Sequence, residues 1–143
     1  MASKELKIIY EEFTSASQMS ERDQMLVAAA LDAQKGSYSP YSQFQVGAAL
    51  LLADGTVVKG ANQENAAYPS GLCAERTAMF AASANYPDVP MVALAIAGSD
   101  HGVLCNSPAT PCGACRQVMA QYQRKYQHKI EVSLVGTKKI MKF

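Results

Sequence analysis

The sequence predicts an α/β protein in which a mixed sheet carries helices on both of its faces. Apolar, β-rich runs alternate with helix-like segments along the chain, which is the pattern of such a layered fold. The final connection is only a turn, too short for a crossover helix, so the last two strands are expected to be antiparallel. The predicted sheet has five strands, and residues 1–143 form a single domain.

Local signals place the elements of the first half. Ser20, followed by acidic residues, is typical of a helix start, and Gly36 ends that helix. A β-rich run begins at Phe44, and Asp54-Gly55 after it is a hairpin signal, so the next strand returns antiparallel.

The second half has equally clear boundaries. A helix begins at Cys73 and ends before Pro87, MVALAIAG is a buried strand, and another helix begins after Pro111. IEVSLVG and the run 140–143 form the last two strands. The segment 4–13 stays ambiguous, because its apolar residues alternate as in a strand while its glutamates also suit a helix.

Composition excludes several functions. The 143 residues include 13 basic and 12 acidic ones, and a formal net charge of +1 gives no field for gripping nucleic acid or an anionic membrane. No stretch is long and apolar enough to span a bilayer, and the first residues lack the apolar centre of a signal peptide. We therefore expect a cytoplasmic protein. A solvated face explains the basic residues near the end, which are Arg124, Lys125, Lys129, Lys138, Lys139 and Lys142.

Cysteines carry the strongest chemical signal. A chain this large and apolar does not need disulfides, so a CxxC pair with a third cysteine indicates a metal or thiol chemistry. Cys73 and the pair Cys112/Cys115 lie at predicted helix starts, where the helix dipole lowers thiol pKa values. Three thiolates on zinc leave the fourth position open, as in catalytic sites. Cys105 lies in an irregular loop, and we expect an ordinary thiol there.

Two neighbours of Cys73 suit roles around such an ion. Glu75 lies two residues further on, off the ligand's face of the helix but within reach, which suits an acid/base group. Arg76 can donate to the sulfurs and offset the excess negative charge of three thiolates on Zn²⁺. The alternatives are a plain first-turn glutamate and a surface salt-bridge arginine.

Longer motifs connect these residues to a known family. C-A-E followed by P-C-G-A-C matches the zinc deaminase signature. The blocks FQVGAAL, NQENAAYPSGLCAERTA and PCGACRQVMAQY closely resemble the small cytidine deaminases that act on free nucleosides, over most of residues 38–122. The resemblance implies a three-layer α/β/α cytidine deaminase-like fold and one Zn²⁺ per subunit. It also implies hydrolysis of cytidine and 2′-deoxycytidine to uridine and 2′-deoxyuridine with release of ammonia, in pyrimidine salvage.

The resemblance implies roles for single residues as well. Glu75 would carry a proton to N3 of the pyrimidine and then to the departing ammonia. Phe44 would pack against the base, and the backbone around Ala74 would contact the base edge. Because the family is usually a homotetramer with sites near subunit contacts, Tyr41 and Tyr68 would serve a neighbouring subunit's site. For Phe44 a core position is the alternative.

Asn62 and Glu64, in the N-x-E-N block, would bind the sugar hydroxyls. A carboxylate that accepts from the ribose 3′-OH favours a free nucleoside, because a phosphodiester removes the donor and adds like charge. The alternative is that both residues simply end the hairpin.

Other functions stay open. A deaminase of a related aminopyrimidine such as blasticidin S would not need the sugar contacts, a nucleic-acid editor would need a basic groove, and a non-enzymatic zinc-stabilised module would use Cys105 as a fourth ligand. The sequence also departs from the family at its end. Family chains usually continue into a tail with an LLPxxF-like segment, and this sequence stops at KKIMKF, where we expect the tail to be missing. Water exclusion would then be weakened.

Overall fold

The computed structural model describes residues 1–143 and contains all the predicted helices and strands. In chain order the elements are β1 (Glu11–Phe13), α1 (Glu21–Ala33), β2 (Phe44–Leu52), β3 (Val57–Ala61), α2 (Ala74–Asn85), β4 (Met91–Asp100), β5 (Val103–Leu104), α3 (Gly113–Tyr126), β6 (Glu131–Val135) and β7 (Ile140–Lys142). No helix combines the length and the apolar character needed to cross a membrane.

The strands form one mixed sheet in the order β1-β7-β6-β4-β2-β3, and β5 pairs with β4 beside this path. Only β4 and β6 are parallel, and the predicted antiparallel pairing of β6 with β7 is confirmed. The sheet has seven strands, so the predicted number of five was too low. Both additional strands, β1 and β5, are only two or three residues long and carry little periodic signal.

Alternating residues of the sheet feed two separate cores, which makes the fold three-layered. Leu50 and Leu52 of β2 pack in the core under α2 and α3, whereas Ala49 and Leu51 pack in the core under α1. Strand β4 is buried on both faces, which explains its continuous apolar sequence. The predicted architecture of helices on both faces is therefore confirmed.

Glycines let the helices approach the sheet closely. A Cβ at Gly60 of β3 would lie 2.5 Å from both the Ala74 carbonyl oxygen and the Ala78 amide nitrogen of α2. A Cβ at Gly47 of β2 would collide with the Ala30 carbonyl oxygen of α1. Since backbone atoms cannot yield, these two positions exclude every other residue, and the contact at Gly60 fixes where α2 begins.

A charged cluster ties the start of α1 to the last two strands. Lys142 Nζ lies 2.7 Å from Asp23 Oδ2 and 3.1 Å from Glu131 Oε2, and Arg22 also binds both carboxylates. The Lys142 side chain is only 19% exposed. The expectation that Lys142 lies on a solvated face is therefore wrong. The sequence alone does not indicate this pairing, because Asp23 lies more than a hundred residues before Lys142. Ser20 caps α1 as predicted, accepting a hydrogen bond from the Asp23 N–H.

Candidate active site

A cavity of about 330 Å³ opens between the first residues of β2, the loop after β3 and the starts of α2 and α3. Its volume lies within the range of roughly 300–1,000 Å³ that is usual for small-molecule sites. Of the residues predicted to form the site, all except Cys115 and Tyr41 line this cavity, namely Phe44, Asn62, Glu64, Tyr68, Cys73, Ala74, Glu75, Arg76 and Cys112.

Three cysteines, of which Cys112 is exposed, meet at the end of this cavity that is formed by the helix starts, here named the inner end. Cys73 is the N-cap of α2 and Cys112 is the N-cap of α3, while Cys115 lies one turn further along α3 and is fully buried. The Cys73 and Cys112 sulfurs are 3.8 Å apart, and the Cys112 and Cys115 sulfurs are 3.5 Å apart. Tetrahedral zinc with Zn–S bonds of about 2.3 Å needs sulfurs about 3.8 Å apart, so the three thiols fit one zinc ion and leave its fourth position open.

Cys105 does not belong to this cluster. The three sulfurs that lie within 4.8 Å of one another are those of Cys73, Cys112 and Cys115. Cys105 follows β5, and its N–H donates to the Gly98 carbonyl of β4. A closed site with four thiolates is thus absent from the structure, as the loop position of Cys105 predicted.

Charges around the sulfurs favour thiolate at Cys73. A hydrogen bond from Cys115, opposed by burial and assisted by Arg76, lowers the pKa of Cys73 to about 5. The pKa of Cys115 is raised, because this thiol donates the hydrogen bond to Cys73 and is buried. Arg76 Nη2 lies 3.2 Å from the Cys73 sulfur, so the guanidinium supplies the positive charge that the sequence predicted. The Nε of Arg76 is buried and has no partner.

Glu75 is a buried carboxyl in the first turn of α2, with only 4% of its surface exposed. Desolvation raises its pKa, and the negative charge of Cys73 acts in the same direction; its own backbone N–H and the Arg76 charge oppose them in part. A carboxyl with a raised pKa beside a metal position can accept and return a proton near neutral pH.

The outer end of the cavity contains Glu64, whose two oxygens differ. Oε1 accepts hydrogen bonds from the N–H groups of Tyr41 and Ser42, at 3.0 and 3.1 Å. Desolvation opposes ionisation of Glu64, but hydrogen bonds from the backbone and side chain of Ser42 and from the Tyr41 backbone outweigh it and hold its pKa below the ordinary value. Both backbone N–H groups donate to Oε1, which leaves Oε2 available to a hydroxyl donor. Tyr41 contributes its backbone here, and its side chain is exposed.

Asn62 is largely occupied by the protein itself. Its Oδ1 accepts from the Val46 N–H at 2.9 Å and from the Ser37 hydroxyl at 2.5 Å, and its Nδ2 donates to the Phe44 carbonyl at 2.8 Å. The side-chain amide thereby joins the start of β2 to the turn before it. These bonds fit the alternative that Asn62 ends the hairpin. They leave one amide hydrogen of Asn62 for another partner.

Several residues of the cavity wall were missed by the sequence analysis. Val46 of β2 and Ile96 of β4 form the part made by the sheet, and Ala109 and Thr110 precede α3. Val46 could have been found from the period of two that places it on the same face as Phe44. Ala109 and Thr110 stand directly before the P-C-G-A-C motif, and this proximity was the available signal.

The fold and the site together define the class of zinc protein to which this chain corresponds. Three cysteines at two helix starts could hold one zinc ion as three ligands, next to a small-molecule cavity and a buried carboxyl. This is the arrangement of a catalytic zinc site on an α/β fold, in contrast to a closed structural one.

Comparison with known proteins makes the class specific. The family model described as the cytidine and deoxycytidylate deaminase zinc-binding region matches residues 20–128. A cytidine deaminase of Halalkalibacterium halodurans is 54% identical over 99 residues, which cover 68% of this chain and 70% of that protein. For a cytidine deaminase of Mycobacterium tuberculosis the identity is 43% over 98 residues, with 68% and 69% covered. The crystal structure of cytidine deaminase from Burkholderia pseudomallei matches with a TM-score of 0.68 at 43% identity, over 82% of this chain and 85% of that one. The chain belongs to the zinc-binding cytidine and deoxycytidylate deaminase family.

Proposed function

We propose that this chain hydrolyses cytidine and 2′-deoxycytidine to uridine and 2′-deoxyuridine and releases ammonia. The observation that carries the proposal is the buried carboxyl of Glu75 beside three zinc-binding thiols at the inner end of a cavity of nucleoside size. The relatives named cytidine deaminase support the same reaction.

Zinc and Glu75 divide the chemistry. Zinc bound by Cys73, Cys112 and Cys115 supplies Lewis acidity, which brings the pKa of water down to near 7. The Glu75 carboxylate accepts a proton from the attacking water and delivers it to N3 of the pyrimidine. A second proton passes through Glu75 to the amino group, which leaves as ammonia. The sum is one nucleoside and one water giving one deaminated nucleoside and one ammonia.

Recognition of the base falls to groups at the inner half of the cavity. Ala74 is the first residue of α2, where backbone N–H groups have no partner within the helix. Such N–H groups can donate to the polar edge of a pyrimidine. Phe44 offers the apolar ring against which the base packs.

Recognition of the sugar falls to the outer half. Oε2 of Glu64 accepts from the 3′-hydroxyl, and the remaining amide hydrogen of Asn62 donates to the same sugar. A phosphate at this position would place negative charge beside a carboxylate whose pKa is already lowered. A free nucleoside is therefore the proposed substrate, in preference to a polynucleotide.

We also propose that the protein is a homotetramer, that it lies in the cytoplasm and that it serves pyrimidine salvage. The side chains of Tyr41 and Tyr68 are 61% and 83% exposed, and Tyr68 lies at the rim of the cavity. Exposed aromatic side chains at the mouth of a site suit contact with a neighbouring subunit. All four cysteines are free, which suits a reducing compartment.

Incubation of the zinc-loaded protein with cytidine tests the proposed reaction. We expect uridine and ammonia in equal amounts, loss of turnover on chelation, and recovery when zinc is added back. The variant Cys105→Ala should match the wild type, because Cys105 lies outside the metal cluster. A zinc-loaded protein that leaves cytidine unchanged would overturn the proposal, and turnover of blasticidin S in its place would identify the substrate as that aminopyrimidine.

A further inference from the structure

Gly98 of β4 lies beneath the aromatic ring that lines the cavity. A Cβ at this position would lie 3.0 Å from Phe44 Cζ, 3.2 Å from Phe44 Cε1 and 3.0 Å from Ala109 Cβ. The backbone does not require glycine here, because positive φ angles among the glycines occur only at Gly55 and Gly102. The position therefore lacks a side chain for reasons of space.

Strand register explains the contact. In the antiparallel pair β2–β4, Val46 lies opposite Gly98 and Phe44 lies opposite Asp100. Phe44 and Gly98 are thus diagonal neighbours on the same face of the sheet, a separation that an aromatic ring can bridge. The ring covers the glycine, an arrangement that also compensates for the missing side chain in a strand.

A methyl group at Gly98 could be accommodated only by moving the cavity wall. Carbon atoms pack best about 3.5–4.0 Å apart, so each neighbour would have to retreat by a few tenths of an ångström. Both neighbours, Phe44 and Ala109, line the cavity. The strand itself cannot yield easily, because Gly98 is buried and paired with Val46 of β2.

We infer that Gly98 is a positioning residue: its missing side chain seats the Phe44 ring and thereby sets the width of the slot that receives the flat base. Gly98 itself does not line the cavity and acts only through Phe44. The inference rests on the proposed function for the identity of the ligand, but the seating of the ring is independent of it.

The variant Gly98→Ala tests this role kinetically. We expect KM for cytidine to rise about tenfold, kcat to change less than about threefold, and zinc content to stay at the wild-type value. Gly36→Ala is the matched control, because a Cβ there meets only the Ala61 Cβ, at 3.6 Å, and should leave both parameters unchanged. A Gly98→Ala enzyme with wild-type KM, or with a loss confined to kcat, would overturn the inference.

A double-mutant cycle identifies the neighbour that transmits the effect. In a Phe44→Leu background the ring is gone, so adding Gly98→Ala should change KM less than about twofold further. In an Ala109→Gly background the effect of Gly98→Ala should persist. Additive effects with Phe44→Leu, or suppression by Ala109→Gly alone, would show that the ring does not transmit the change.

Ring signals give a readout that does not depend on turnover. The chain has four phenylalanines, so labelled rings give few NMR signals, and Phe44→Leu assigns the one that matters. Gly98→Ala should shift the Phe44 signal and Gly36→Ala should not. If the signal shifts while the wild type fails to deaminate cytidine, the proposed function is wrong and the seating of the ring stands. An unshifted signal contradicts the inference whatever the activity.

Discussion

The two ends of the cavity are built in different ways. At the inner end, Cys73, Glu75 and Cys112 belong to the first residues of two helices, so the backbone of each helix fixes where these side chains lie. At the outer end, Asn62 and Glu64 follow strand β3. Hydrogen bonds hold Glu64 to the turn before β2, and hold Asn62 both to that turn and to the first residues of β2. The inner end is therefore encoded by local spacing, and the outer end by tertiary contacts.

Removal of a thiol at the inner end should have the largest effect. Cys115→Ala takes away a fully buried ligand, so we expect loss of most bound zinc and, with it, of nearly all turnover. Elemental analysis beside a cytidine assay measures both. Cys105→Ala is the matched control, and full zinc occupancy in Cys115→Ala would mean that the metal does not lie among these three sulfurs.

Glu64→Gln tests substrate binding at the outer end while keeping the hydrogen bonds that hold this side chain in place. The amide oxygen can still accept from the Tyr41 and Ser42 N–H groups, whereas the group replacing Oε2 can only donate. Loss of a charge-assisted hydrogen bond of about 1.5–3 kcal/mol should raise KM for cytidine roughly 10- to 150-fold. The free energy of unfolding should be nearly unchanged.

A substrate that lacks the hydroxyl provides the control for Glu64→Gln. With 2′,3′-dideoxycytidine, the wild type and the variant should have similar KM values, because neither can make the contact. An equal penalty on both substrates would mean that Glu64 does not bind the 3′-hydroxyl.

Asn62→Ala should act chiefly on stability. It removes the acceptor of the Val46 N–H and the donor to the Phe44 carbonyl, besides the link to Ser37. Three hydrogen bonds at about 1 kcal/mol each predict a loss of about 2–4 kcal/mol in the free energy of unfolding, measured with urea. A raised KM with unchanged unfolding would assign Asn62 to the sugar alone.

Asp23→Asn, remote from the cavity, should have the smallest effect and should leave KM unchanged. Burial opposes ionisation of Asp23, but hydrogen bonds from Lys142 and Arg22 outweigh it and lower its pKa. Because the folded pKa lies below the unfolded one, the stabilisation is present above about pH 4 and disappears as the pH falls through the folded value.

We expect Asp23→Asn to lose about 1–2 kcal/mol at pH 7 and to show a weaker fall in stability than the wild type as the pH drops below about 4. Urea unfolding at several pH values measures both quantities. Parallel pH profiles for the two proteins would mean that Asp23 is not stabilised by these contacts.

The same contrast explains how far the sequence could predict the molecule. Helix starts, the hairpin at Asp54-Gly55 and the cysteine spacing are local signals. They predict helices and strands that the structure contains and three cysteines that it brings together. The occupation of Asn62 by Ser37 and Val46 and the pairing of Lys142 with Asp23 depend on which distant segments meet. No short stretch of the sequence contains that information. The role of Gly98 likewise depends on its contact with the Phe44 ring, which only the folded structure shows.

The most direct test of the account is the variant Glu75→Gln, measured for both zinc and turnover. The side chain keeps its size and lies outside the thiol cluster, so we predict one zinc per chain and an unchanged fold. Without a carboxyl that accepts and returns protons, kcat for cytidine should fall by about 10²–10⁴-fold. A zinc-loaded Glu75→Gln protein that turns over cytidine at close to the wild-type rate would contradict the central claim.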